Sequence, residues 1–192
     1  MPRSGGRTRS TEAHLAVLRA TTELLEECGF RAVTMEAVAE RSGVAKTTIY
    51  RWWRSKPELV MEAYTAAVAS RMPEPDTNSV SRDLTLFAEH LYAGVSDPSR
   101  RRALRGLMAE AQLDGDFEEP FRTWVQSRRS VVLEILSRAQ RRGEIREDVD
   151  TDLVVDQIFG VFWYRLLVGH DRLEASTAAG HVAQILSGLT IE

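Results

Sequence analysis

Cysteine occurs once in the 192 residues, at Cys28, so the chain forms no internal disulfide and holds no cysteine-rich metal site. A lone cysteine on an apolar helix face is expected as a small buried side chain. No apolar run approaches the roughly 20 residues that span a bilayer. The start, MPRSGGRTRST, lacks the apolar centre of a signal peptide, so a cytoplasmic location is expected. The four histidines, His14, His90, His170 and His181, are scattered without metal-ligand spacing such as H-x-x-x-H. G-x-S-x-G, G-x-G-x-x-G and P-loop patterns are missing, and Glu118-Glu119 reads as helix N-terminal charge rather than a catalytic pair. No catalytic residue, metal or cofactor is expected. Sustained alternation of β-branched and polar residues is also missing, which removes the strand-based folds.

One absence is local. Between Glu40 and Glu58 there is no carboxylate, and RSGVAKTTIYRWWRSK (Arg41 to Lys56) carries five cations and three aromatics. The net charge of −3 is unevenly spread. Residues 1–56 hold 10 Lys and Arg against 6 Asp and Glu, and the remainder holds 15 against 22. A basic head on an acidic body fits an electrostatic footprint confined to one end. Apolar content of 43% still allows a full core.

What is present reads as helix almost throughout. A first long helix is expected after Ser10 or Thr11, with Leu15, Leu18, Thr22 and Leu25 on one stripe and Gly29 as its left-handed cap. Residues 1–10, with Arg3, Arg7 and Arg9 among Gly and Ser, are expected as a flexible basic tail, either solvated or following the minor groove. Thr34 caps a short helix to about Ser42, Gly43 stops it, and another short helix runs from Lys46 to about Trp53. Ser55 and Glu58 form a capping box, with Pro57 in the first turn of a fourth helix. MPEPDTNS (72–79) breaks the pattern, so the domain boundary is placed there, giving 11–72 and 73–192. Beyond it, helices are expected at about 81–95, 98–113, 117–142, 151–169 and 175–188, with Asp116 and Glu119 as a further capping box.

Two short helices joined at a glycine, behind a supporting helix, describe a helix-turn-helix. Its second helix lies in the major groove and exposes side chains to bases and phosphates. Ile49 and Trp53 lie four apart and are expected to be buried, which turns Lys46, Thr47, Tyr50 and Arg51 outward. A cation, hydroxyl donors and a threonine methyl suit phosphate oxygens and a thymine methyl.

TMEAVAERSGVAKTTIYRWWRSKPELV resembles the DNA-binding signature of the TetR family of bacterial transcriptional regulators. Thr34, Val38-Ala39, Gly43-Val44, Thr48-Ile49-Tyr50, Trp53, Lys56 and Leu59 fall at the matching places, over about residues 10–60. The resemblance implies that Thr34 touches phosphate while capping its helix. It implies that Lys46, Thr47 and Thr48 approach bases or phosphates, and that Tyr50 and Lys56 meet phosphates. Two positions depart from the pattern. Ala45 stands where the family often has a capping serine, and Trp52 replaces the usual histidine. For Trp52, a DNA contact and packing at the helix edge both fit.

The acidic half offers an apolar set, Leu86, Leu91, Leu104, Met108, Phe121, Trp124 and Trp163, that reads as core at helical spacing. Taken with the family, a cavity among these helices would be a pocket for a small hydrophobic effector, with Leu86, Leu91, Met108, Phe121, Trp124 and Trp163 as its lining. QIFGVFWYRLLVG, with Phe159, Phe162 and Leu166, and AAGHVAQILSGL, with Val182, Ile185 and Leu189, suit a four-helix homodimer interface. Arg165 inside the first run needs an acidic or carbonyl partner. The expectation is an all-α chain: an N-terminal three-helix helix-turn-helix DNA-binding domain and a C-terminal helical ligand-binding and dimerisation domain. As a homodimer it would bind a palindromic double-stranded operator, most simply as a repressor released by its effector. A constitutive DNA-binding protein without an effector is the alternative, and an enzyme carrying a similar motif is a third reading.

Overall fold

The computed structural model describes the backbone of residues 5–72 and 74–189 and the side chains of residues 11–72 and 74–189. Helices and their connections make up these residues, with no strand among them. In chain order the helices are α1 Gly5–Cys28, α2 Met35–Ser42, α3 Lys46–Trp52, α4 Lys56–Ala69, α5 Val80–Gly94, α6 Pro98–Leu113, α7 Gly115–Arg141, α8 Thr151–Val168 and α9 Ala178–Leu186. Single 3-10 turns, Phe30–Ala32 and Ala175–Thr177, follow α1 and precede α9.

The terminators act where the sequence places them. Gly43 adopts φ 68°, and its amide donates to the Ala39 carbonyl. Gly169 closes α8 in the same way, at φ 72°. Three expectations change. The helix begins at Gly5, so the tail expected over 1–10 is helical from there; Arg3 and the side chains of Arg7 and Arg9 lie outside the described residues. The buried face of α1 is Val17, Leu18, Ala20, Leu24 and Leu25, whereas Leu15 is exposed, as is Cys28. A stripe of paired positions explains this: 17/18, 20/21 and 24/25 recur every three to four residues, and 15 falls outside it. Finally, α7 starts two residues earlier than expected, with Asp114 as its cap. The Asp116 amide donates to the Asp114 carboxylate at 3.0 Å.

The chain forms two compact units that interleave in sequence. Residues 1–69 and 102–122 make one unit, and 70–101 and 123–192 the other. Thus most of α6 and the start of α7, which lie beyond the sequence break at 72–79, pack with the N-terminal helices. Phe30 meets Phe117 edge to face at 5.0 Å, and Arg31 pairs with Glu110 at 3.8 Å.

In the C-terminal unit, the break itself is held by a buried charge. Asp83, on α5 and fully buried, accepts from the Thr77 amide at 2.8 Å and the Thr77 hydroxyl at 2.6 Å, and faces Arg138 of α7 at 4.0 Å. Arg138 also donates to the Pro75 carbonyl at 2.6 Å. Asp83 is thus a buried carboxylate held by Thr77 and by a half-buried guanidinium. The segment rich in turn formers is therefore pinned.

The helix α8 is apolar around most of its surface, apart from Asp152, Asp156 and Arg165, and its faces part ways. Val154, Val155, Ile158, Phe159, Phe162 and Leu166 are buried within the protomer, as are Val182 and Leu186 of α9. Phe159, Phe162, Leu166 and Val182 were expected at a dimer interface; they belong instead to the unit's own core. Phe87 meets Phe159, and Tyr92 stacks on Phe162. The outward face carries Leu153, Tyr164, Leu167 and Val168, between 45% and 60% exposed. Ile185 and Leu189, at intermediate burial, remain accessible.

Candidate nucleic-acid interface

Two helices and a tight turn build the site. Thr34 sits in extended conformation before α2, and its hydroxyl accepts from the Ala37 amide at 3.1 Å. This satisfies one of the free donors of the first turn, where Glu36 also meets the helix's positive end. The following α3 is seven residues long and has Ala45 at its start, with no side-chain cap. Replacing a capping serine or threonine by alanine typically costs about 1 kcal/mol, so this helix depends on tertiary anchors. Those anchors are Ile49, fully buried, and Trp53, 1% exposed.

Burying Ile49 and Trp53 turns Lys46, Thr47, Tyr50 and Arg51 outward, all exposed, with Thr48 at intermediate depth. Lys56, the first residue of α4, is half-buried. Its ammonium lies 3.9 Å from the centre of the Phe30 ring, and burial holds its pKa below the usual lysine value. The capping box ahead of α4 forms: the Glu58 amide donates to Ser55 Oγ at 3.3 Å, and the Glu58 carboxylate accepts from the Arg54 amide at 2.8 Å.

The acid-free stretch is acid-free only along the sequence. Lys46 forms an ion pair with Glu36 across the turn. That contact raises the lysine pKa and lowers that of the glutamate. The cation also sits 5.6 Å from the Tyr50 ring centre. A periodicity argument on α3 alone does not see Glu36, because the carboxylate arrives from α2. Arg41 is likewise engaged, by Glu27 of α1 at 2.7 Å.

Trp52 is half-buried and packs edge to face on both His14 and Trp53. His14, an isolated histidine in the sequence, stands at a junction of α1, α3 and α4. Its ring stacks on Trp53 at 4.7 Å, and its Nε2 lies 2.8 Å from Glu62. The signal available was weak: His14 lies three residues before Val17, on the same side of α1.

The six residues expected around an effector are divided between the units. Met108 and Phe121 belong to the N-terminal unit, and Leu86, Leu91, Trp124 and Trp163 to the C-terminal one. Leu91, Phe121 and Trp124 are buried, and the other three are at intermediate depth. None of them lines the recesses found near α9 and the turn before it. One, of about 380 Å³, is bounded by Tyr92, Arg165, Thr177, His181 and Gln184, one of about 450 Å³ by Gln157, Val161, His181 and Ile185, and one of about 500 Å³ by Ala93, Arg101, Arg172 and Glu174. Arg165 finds both kinds of partner expected of it, Asp171 at 3.2 Å and the Arg172 carbonyl at 3.2 Å. Among the described residues there is no cluster of metal-ligating side chains and no helix long and apolar enough to cross a membrane.

This geometry agrees with comparisons to known proteins. Residues 17–63 match the family described as bacterial regulatory proteins, tetR family, and residues 74–185 match the tetracyclin repressor-like C-terminal domain. The chain is 34% identical over 185 residues to the uncharacterized HTH-type transcriptional regulator YdeS of Bacillus subtilis, covering 96% of this chain and 93% of that one. It is 30% identical to the DNA-binding transcriptional repressor TetR of Mycobacteroides abscessus, with 85% of each covered. The crystal structure of the TetR family transcription regulator SCO0332 superposes with a TM-score of 0.81 at 34% identity, over 94% of this chain and all of that one. Proteins of this kind regulate transcription by binding DNA and are not enzymes. The helix-turn-helix, the all-helical C-terminal half and the sequence matches lead to one conclusion: the chain belongs to the TetR family of bacterial transcriptional regulators.

Proposed function

We propose that this protein is a homodimeric repressor that sets α3 of each protomer into successive major grooves of a palindromic operator and leaves it when a small hydrophobic molecule binds. The observation that carries the DNA reading is the outward row Lys46, Thr47, Tyr50 and Arg51, held by burial of Ile49 and Trp53. Lys46, Thr47 and Thr48 approach bases or phosphates. Thr34, Tyr50 and Lys56 hold phosphates, and Arg51 and Trp52 flank them. On binding, phosphate oxygens replace Glu36 as the partner of Lys46.

The exposed face of α8, with Leu153, Tyr164, Leu167 and Val168, together with Ile185 and Leu189, supplies the dimer surface. A stripe of this kind on a soluble chain marks an interaction site. Support for an effector is by fold likeness. A transcriptional regulator FadR from Bacillus subtilis, solved in complex with stearoyl-CoA, superposes at a TM-score of 0.72 with 18% identity. The flavonoid-responsive regulator FrrA does so at 0.67 with 19%. The first was solved with an acyl chain on coenzyme A, and the second is named for a class of aromatic compounds. A constitutive DNA-binding protein without an effector is the alternative reading.

Selection of duplexes from a randomised library by the full-length protein tests the reading. Enriched sequences are expected to contain inverted half-sites with centres about 34–36 Å apart or slightly more. Enrichment of single, unpaired sites would remove the dimeric arrangement. A hydrophobic-compound screen against the enriched duplex then separates the effector-controlled protein from the constitutive one.

A further inference from the structure

We propose that His14, on α1, is a positioning residue for DNA reading: it sets the angle of α3 through Trp52 and Trp53. The inference rests on α3 as the reading helix and adds a residue outside the helix-turn-helix to the machinery.

A seven-residue helix without a side-chain cap has little stability of its own. Its orientation is therefore set at its C-terminal end, where Trp52 and Trp53 adjoin His14. The Trp53 indole N–H donates to Glu62 Oε2 at 2.6 Å, while its ring lies against the His14 ring, 4.7 Å between centres and 29° between planes. Trp52 meets the same imidazole edge to face, at 5.5 Å and 60°. His14 Nε2 lies 2.8 Å from Glu62 Oε1. A carboxylate only accepts, so Nε2 carries the proton, and one carboxylate holds both the imidazole and the indole.

The unit is thus a frame of two indoles, one imidazole and one carboxylate that joins α1, the end of α3 and α4. Ile49 fixes how deep α3 sits. The frame fixes its rotation, and rotation decides where Lys46, Thr47 and Arg51 point. Hydrogen bonds to base edges demand directed side chains, whereas an ammonium near a phosphate tolerates displacement. Loss of the imidazole therefore falls on sequence preference more than on general attraction to DNA.

The test uses the full-length protein, a duplex enriched by the wild type from a randomised library, and a random-sequence duplex of equal length at one salt concentration. His14→Ala is expected to lose about tenfold on the enriched duplex and less than about twofold on the random one, the scale of one aromatic contact plus one charged hydrogen bond. His14→Phe keeps a ring for both indoles and should recover most of that loss. His14→Gln keeps a donor for Glu62 without the ring and should not. Circular dichroism at the assay temperature checks that each variant is folded; if His14→Ala is not, the Phe and Gln variants decide between them. Equal losses on both duplexes, or wild-type affinity in His14→Ala or His14→Gln, overturn the proposal. A wild-type protein that enriches no sequence overturns the reading of α3 itself, a result distinct from an enriched duplex to which the variants bind normally.

Discussion

The Tyr92 hydroxyl lies 2.7 Å from Nδ1 of His181, joining α5 to α9 in the wall of the recess of about 380 Å³. Burial, and after it the nearby Arg165 guanidinium, hold the His181 pKa below its ordinary 6.5, while burial pushes the tyrosine pKa up. With the imidazole neutral, the tyrosine O–H donates a hydrogen bond to Nδ1. Because the folded state resists protonation, the unfolded state takes up a proton first as pH falls. This contribution is intact above about pH 6.5 and declines as the pH drops from there toward the folded pKa. Urea midpoints measured between neutral and mildly acidic pH are expected to fall, and His181→Gln should flatten that fall. An unchanged slope in the variant would assign the acid sensitivity to other groups.

In the proposed reading, the Glu36 ion pair occupies Lys46 until DNA binds. Glu36→Gln releases Lys46 and removes a negative charge facing the phosphates. Affinity for any duplex is expected to rise a few-fold (roughly two to five) at low salt, and the gain should shrink at high salt. Both exposed partners leave stability nearly unchanged. Fluorescence anisotropy at two ionic strengths measures the effect; a gain independent of salt would contradict a charge mechanism.

Lys56 stands over the Phe30 ring with its ammonium partly desolvated. If that cation meets a phosphate, Lys56→Ala weakens binding to all sequences and lowers the slope of log affinity against log salt by about 1. Salt titration on enriched and random duplexes gives the answer. A wild-type slope would leave Lys56 with a packing role alone.

For assembly, the two faces of α8 make opposite predictions. Leu167→Glu, on the exposed face, should yield folded monomers, since the protomer's own packing is untouched. Phe162→Glu, in the core, should yield unfolded protein, because a buried carboxylate without a partner is strongly unfavourable. Sedimentation velocity with circular dichroism distinguishes them. Dimers that persist in Leu167→Glu and Val168→Glu would move the interface elsewhere.

Legibility along the chain followed local chemistry. Thr34, Gly43, Ser55 and Glu58 act through backbone groups a few residues away, and each sits where its residue type implied. The burial of Ile49 and Trp53 also followed from spacing. By contrast, α8 is apolar around most of its surface, so apolar character alone does not separate Phe162 from Leu167; the packed neighbour Tyr92 does. The Glu36–Lys46 pair and the His14 junction were missed for a related reason. Each joins different helices, and side-chain meetings across a turn carry no period. Cys28 was misjudged because it lies at the very end of α1, beyond the last buried pair at 24/25.

The return of residues 102–122 to the N-terminal unit has a consequence for synthesis. When the first 69 residues have left the ribosome, Phe30 still lacks Phe117, and Arg31 still lacks Glu110. At roughly 5–20 residues per second, the missing pieces follow several seconds later. During that interval a nascent chain exposes a basic helix-turn-helix whose underside is unfinished. The packing of the N-terminal unit is thereby completed only when the start of α7 has emerged.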